Sequence, residues 1–160
     1  MEVNIVEFEV FHGRRRADAY RYASAIVGPE AAEDACQEAW LRAWRAWGSA
    51  DDNRLDAWVF RIVRNCCIDH LRHAHHQPRA LPVNPERAVD DAIADSVDAA
   101  ASLTSLAALS PELREALWLR EVLDLTYSDI AKVQGIPIGT VMSRLHTARR
   151  RALKLLGEHR

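Results

Sequence analysis

Between about Ala17 and His76 the chain alternates helix-compatible stretches with short breaks. "DAYRYASAIV" stops at Gly28-Pro29, a pair that ends one helix and opens the next. "EAAEDACQEAWLRAWRAW" then runs without a breaker as far as Gly48. Within it Cys36, Trp40, Trp44 and Trp47 recur at steps of four, four and three, the spacing of one helical stripe, and such a stripe suits a core better than a base-stacking set. "GSADDNRL" reads as a loop, because its small and Asx residues favour turns. In "DAWVFRIVRNCCIDHLRH", Asp56 is a candidate N-cap and Val59, Ile62, Val63 and Cys66 make an apolar stripe. Arg61, Arg64, Asn65 and Arg72 lie on the other side of that helix.

A different texture follows. Residues 77–104 hold three prolines, five acidic and two basic side chains and no aromatic, a composition that cannot bury enough surface to fold alone. Pro78, Pro82 and Pro85 favour an extended path, so this segment is expected to be a flexible linker. A second module begins beyond it. Ser110-Pro111 matches an N-cap with proline in the first helical position, and Leu113, Ala116, Leu117 and Val122 supply a core face. Thr126 and Asp129 form a capping-box-like pair that opens a short helix. Gly135 closes it, Ile136-Pro137 make the turn, and a last helix runs to about Leu156. No strand-type alternation occurs. The expected fold is all-α: two small helical domains, residues 1–76 and 105–160, joined by the 77–104 linker.

Laid out at about 100° per residue, the last helix gathers Val141, Leu145, Ala148, Ala152 and Leu155 on one side. Thr140, Ser143, Thr147, Arg150 and Lys154 lie opposite, with Arg144 and His146 on the flanks. Short hydroxyl groups near the N-terminus and cations further along suit a helix that enters the major groove end-on, the first touching base edges and the second phosphates. A solvated basic face on the last helix of a bundle is the plainer alternative. The short preceding helix and the tight turn favour helix-turn-helix.

Charge refines this picture. The 160 residues carry a net charge of −2, and the calculated pI is near 6.4, which argues against an avid free-standing nucleic-acid binder. Residues 1–76 hold 10 basic and 12 acidic side chains, whereas 105–160 hold 9 and 6, so positive excess is confined to the second module. The three cysteines Cys36, Cys66 and Cys67 include no CxxC pair and read as free thiols in a reducing compartment. The start has no signal-peptide form, and no run reaches the roughly 20 apolar residues of a membrane span. A cytoplasmic protein without direct membrane insertion is expected.

These fragments resemble one family in order and spacing. "LSPELREALWLREVLDLTYSDIAKVQGIPIGTVMSRLHTARRRALKLL" is similar to the promoter-binding region 4 of extracytoplasmic-function (ECF) sigma factors, a subfamily of sigma-70-type RNA polymerase subunits. "AEDACQEAWLRAW" resembles their region 2 helix, and "DAWVFRIVRNCCIDHLR" the strand-opening helix after it. The resemblance implies an alternative sigma factor that binds core RNA polymerase and promoter DNA, with an anti-sigma factor as a further partner. It implies no cofactor, small-molecule substrate or catalysis. By the same resemblance Asp34, Gln37, Glu38, Leu41 and Arg42 dock on core polymerase. Asp52, Asn53, Arg54, Arg61, Arg64, Asn65 and Arg72 contact the minus-ten element, where the loop from Ser49 to Leu55, Asp51 included, captures an unstacked base. Thr140, Met142, Ser143, Arg144, His146, Thr147 and Arg150 face the minus-thirty-five element. Many relatives carry a cation where Met142 and Thr147 stand, so the upstream sequence this chain prefers is expected to be unusual or its upstream binding weaker. The acidic linker is implied to thread the polymerase channels in place of nucleic acid.

Two other readings compete. "CCIDHLRHAHH" concentrates Cys66, Cys67, His70, His73, His75 and His76, and Cys66, His70 and His73 can share a helix face as a metal-binding sensor would require. Against this, Cys66 fits a core position and the histidines a polar helix end. A stand-alone helix-turn-helix regulator would also contain the second module, but would not need the first. No phosphate-binding glycine loop, GxSxG motif or carboxylate pair set against a base is present, and no enzyme is expected.

Overall fold

The computed structural model describes residues 5–76 and 108–157, all within helices, turns and short connections. The chain divides into two compact units, 1–84 and 85–160. The 77–104 segment and the first residues of the second module lie outside the described residues.

The first unit contains α1 (Ile5–Val27), α2 (Pro29–Ala46) and α3 (Leu55–His76), each packed on the other two. Gly28 separates α1 from α2 with φ 84°, a left-handed conformation open to glycine, and Pro29 restarts the helix. The face of α2 turned inward is built of Ala32, Ala35, Ala39 and Ala43, all buried. Their small size lets Tyr22 of α1 and Phe60 of α3 meet edge to face with centroids 5.5 Å apart. Val59, Val63, Cys66 and Cys67 complete the α3 side of the core.

The tryptophan stripe has a more specific role than general core. Trp47 is buried, while Trp40 and Trp44 are half-buried. Phe8 meets Trp44 at 5.0 Å and Trp47 at 5.1 Å, and His12 meets Trp40 at 4.7 Å. These contacts explain why α1 starts at Ile5, well before the Ala17 expected from the pattern. Gly13 weakens helix propensity in this stretch, and packing of Phe8, Phe11 and His12 onto the tryptophans holds the added turns.

Asp56 is not an N-cap. It lies inside the first turn of α3, and its carboxylate accepts two bonds from Arg15, from Nε at 2.8 Å and from Nη2 at 2.7 Å. This bidentate pair ties α3 to α1. The expected loop ahead of α3 is wound into two 3-10 turns, Trp47–Ser49 and Asp52–Arg54. Asp51 caps the second, accepting from the Asn53 backbone N–H at 3.1 Å.

The second unit contains α4 (Pro111–Glu121), α5 (Tyr127–Gln134) and α6 (Ile138–Gly157), again in mutual contact. Ser110 occupies the N-cap of α4 without a side-chain cap bond. Leu113, Ala116, Leu117 and Leu119 are buried, but Val122 is 49% exposed and is not part of the core face. The helix ends at Glu121, and Asp124 adopts a left-handed φ of 52° that brings Leu123 and Leu125 inward instead. Arg120 braces this turn by donating to the Leu125 carbonyl at 2.8 Å.

Thr126 caps α5, its hydroxyl accepting from the Asp129 N–H at 3.1 Å. Gly135 ends α5 at φ 66° and ψ 39°, and the Ile136 N–H returns to the Ala131 carbonyl. No atom lies within 4 Å of where a Gly135 Cβ would stand, so only backbone conformation penalises a side chain there. Gly135→Ala is therefore expected to destabilise the second unit by roughly 1–2 kcal/mol, read as a lower urea midpoint with unchanged slope. An unchanged midpoint would refute the left-handed turn.

Candidate functional site

Three surfaces carry the expected binding residues. On α2, exposed Asp34, Gln37 and Leu41 lie away from the alanine face, and exposed Arg42 and half-exposed Glu38 lie on its flank. Leu41, 43% exposed, is the apolar centre of a polar patch. The structure extends this patch onto α3 in a way that spacing along α2 does not reveal. Arg42 donates to Glu38 at 2.8 Å and to Asp69 at 3.3 Å, so its guanidinium joins the two helices. At these exposures the pairs orient the patch more than they stabilise it.

Beside it lies a cleft of about 200 Å³ lined by Glu38, Arg42, Cys66, Asp69, His70 and His73. It brings together the Cys66, His70 and His73 of the metal reading. Among the described residues no group of three His, Cys, Asp or Glu side chains is placed to hold an ion. Arg42 sets a cation against both carboxylates, and the His73 Nδ1 donates to the Asp69 carbonyl at 2.7 Å. Cys66 is buried, and desolvation raises its thiol pKa. His75 and His76 fall outside the described side chains.

The second surface runs along α3. Arg61, Asn65 and Arg72 are exposed and, at about 100° per residue, lie in one line directly away from Val63 and Cys67. Arg64 is half-buried and to one side, with interactions inside the unit. Asp52, Asn53 and Arg54 are exposed on the turn that leads into this helix. Trp58 is half-buried and meets Trp47 at 6.1 Å, so it anchors that turn to the aromatic cluster.

The third surface is α6. Val141, Leu145 and Ala148 are buried against the unit, whereas Ala152 and Leu155 are only half-buried. Met142, Ser143, His146 and Arg150 are exposed, and Thr140 and Thr147 half-exposed. Arg144 is partly spent internally, its Nη1 donating to the Gln134 Oε1 at 3.3 Å. That bond crosses the turn and fixes α6 on α5. Gln134 itself is buried, and no pattern in the sequence marks it as the partner of a candidate DNA reader. Arg149 likewise donates to Glu121 at 2.9 Å, tying α6 to the end of α4.

A helix that follows a left-handed glycine turn and turns its hydroxyl and basic side outward defines the second unit as a DNA-binding helix-turn-helix. Sigma-70 region 2 matches residues 12–77, and sigma-70 region 4 matches residues 102–151. The chain is 33% identical over 147 residues to the ECF RNA polymerase sigma factor SigC of Mycobacterium tuberculosis, covering 88% of this chain and 78% of that protein. It is 38% identical over 129 residues to SigM of the same species, covering 80% and 65%. Among solved structures, the sigma factor RpoE in complex with the anti-sigma factor NepR from Bartonella quintana matches with a TM-score of 0.75 and 26% identity, covering 98% of this chain and all of that one. The chain belongs to the ECF family of RNA polymerase sigma factors. No helix among the described residues is long and apolar enough to cross a membrane.

The cleft also generates a chemical test. Burial, followed by the neighbouring Cys66, pushes the Cys36 thiol up to about 11. A raised thiol pKa leaves almost no thiolate at pH 8, and the thiolate is the nucleophile. Native protein at pH 8 is expected to resist iodoacetamide at Cys36 and Cys66, and urea-unfolded protein to react at both. Native alkylation at the unfolded rate, read by peptide mass spectrometry, would mean that the α2–α3 contact is open.

Proposed function

We propose that this chain is an alternative sigma factor that acts in the cytoplasm, docks on core RNA polymerase and directs it to a subset of promoters. Asp34, Gln37, Glu38, Leu41 and Arg42 form the docking patch, an apolar centre within an ionic rim. The line of Arg61, Asn65 and Arg72, with Arg64 beside it and Asp52, Asn53 and Arg54 at its head, grips the separated minus-ten strand. Thr140, Met142, Ser143, Arg144, His146, Thr147 and Arg150 face the minus-thirty-five duplex. Residues 1–76 and 105–160 are the two working domains, and the acidic 77–104 segment is the tether that passes through the polymerase channels. Binding, rather than covalent chemistry, is the whole of its work.

The observation that carries this reading is the outward side of α6, positioned by the Gly135 turn and the Arg144–Gln134 bond, in a chain that also matches region 2 over residues 12–77. A stand-alone regulator has no use for that first unit. An anti-sigma partner is part of the proposal, supported by the NepR complex of the RpoE relative. Such a partner would cover the same docking and reading surfaces until a signal removes it.

Reconstituted transcription with core polymerase across a genomic library tests the function directly. Specific start sites are expected only with chain and core together. Tight site selection by the isolated chain, or a core enzyme indifferent to it, would overturn the reading. Within the same system Thr147→Arg restores a cation on the duplex side. It is expected to tighten promoter binding and to steepen the salt dependence by about one counterion. Unchanged affinity and slope would remove Thr147 from the interface.

A further inference from the structure

The N-terminal end of α6 pairs two partly engaged polar groups with two uncovered apolar ones. Ser143 donates its hydroxyl back to the Thr140 carbonyl at 3.0 Å, and Arg144 donates to Gln134. Ile138 and Met142, one helical turn apart, are 47% and 53% exposed. The core of the unit takes Val141, Leu145 and Ala148 from this helix and leaves those two outside. Gly139 between them has no side chain, and nothing lies within 4 Å of where its Cβ would stand, so the backbone there is open to close approach. Further along, exposed Arg150 and Arg151 supply cations suited to flanking phosphates. An apolar pair at the leading end of a helix with basic groups behind it matches one feature of the major groove in particular. Thymine alone among the four bases presents a methyl group there.

We propose that Met142, with Ile138 beside it, reads thymine methyl groups, so that the upstream promoter element of this chain contains at least one T·A pair recognised by its C5-methyl. The unbranched thioether of Met142 can settle on a methyl group without a fixed rotamer. A cation at this position would instead favour phosphate or guanine. The inference rests on α6 being the duplex-reading helix, and deepens that reading from a surface to a base.

The test uses full-length chain assembled with core polymerase on a promoter selected from the genomic library. Each thymine of the upstream element is replaced in turn by deoxyuridine, which removes only the methyl group. At one or two positions the wild-type complex is expected to bind about fourfold more weakly, the factor that corresponds to one buried methyl. Met142→Ala is expected to bind thymine and uracil promoters equally, and Met142→Leu to keep the distinction. Met142 contributes nothing to the buried core, so both variants should fold. Equal affinity for uracil at every position, an upstream element with no T·A pair, or an undiminished thymine preference in Met142→Ala would overturn the proposal. A complex that selects no promoter at all would bring down the sigma-factor reading itself, a distinct result visible before any base is replaced.

Discussion

The close approach of three helices over an alanine face is the constraint on which the first unit depends. Ala32, Ala35, Ala39 and Ala43 leave α2 with little bulk to bury, so α1 and α3 come near enough for Tyr22 and Phe60 to meet across them. A larger residue at any of these positions would force neighbours off their rotamers or drive the helices apart. The outward groups follow from the inward ones. Once the alanines face in, Asp34, Gln37 and Leu41 must face out with Arg42 on the flank toward α3, and once Val63 and Cys67 face in, Arg61, Asn65 and Arg72 line the opposite side of α3. The Arg42 link from Glu38 to Asp69 then gives the proposed docking patch on α2 and the outward side of α3 a shared orientation. A shift of α2 on α3 would disturb both surfaces at once.

In the second unit a single backbone angle does comparable work. Gly135 at φ 66° sets the direction in which α6 leaves α5, and the Gln134–Arg144 bond holds that direction from the side-chain level. Glycine removes the steric cost of the turn, and the bond removes some freedom that glycine would otherwise leave. Arg144 thus positions α6 on α5, whatever contact it makes in the proposed DNA interface. The same economy appears at Arg120, whose bond to the Leu125 carbonyl stabilises a turn that contains no glycine or proline.

That turn also shows where the sequence was legible and where it was not. Element type followed from helical periodicity, and the Gly28-Pro29, Ser110-Pro111 and Gly135-Ile136-Pro137 signals located ends because each has a local backbone cause. Asp124 gives no comparable signal, so nothing local separates Val122 from a helix face that has already ended. Asp56 satisfied every local criterion for a cap, yet a guanidinium 41 residues earlier in the chain claims it. The early start of α1 depends on Phe8 and His12 finding Trp44 and Trp40, again a contact between distant residues. For the binding surfaces, exposure was predictable from amphipathic spacing. The internal bonds of Ser143 and Arg144 were only partly so. A serine returning to a carbonyl three residues back is a local habit, but the meeting of Gln134 and Arg144 requires the turn to be built first.

Those internal bonds bear on how a chain with little positive charge reads DNA. Nonspecific affinity grows with the number of phosphates neutralised, and the first module, with 10 basic and 12 acidic groups, has no positive excess to offer. The second module has only a small excess, 9 against 6, and Arg144 and Arg149 are engaged with Gln134 and Glu121. On the proposed reading, discrimination on such a surface falls to groups whose energy does not come from counterion release: hydroxyls, an imidazole and the apolar pair at Ile138 and Met142. Contacts of that kind are individually weak, and weak contacts on two tethered units become useful when a larger assembly holds both on one duplex, because the second then binds at high effective concentration. Low charge is in this sense part of the specificity. On the proposed reading it keeps each unit from settling on DNA alone and leaves the choice of promoter to the combined complex.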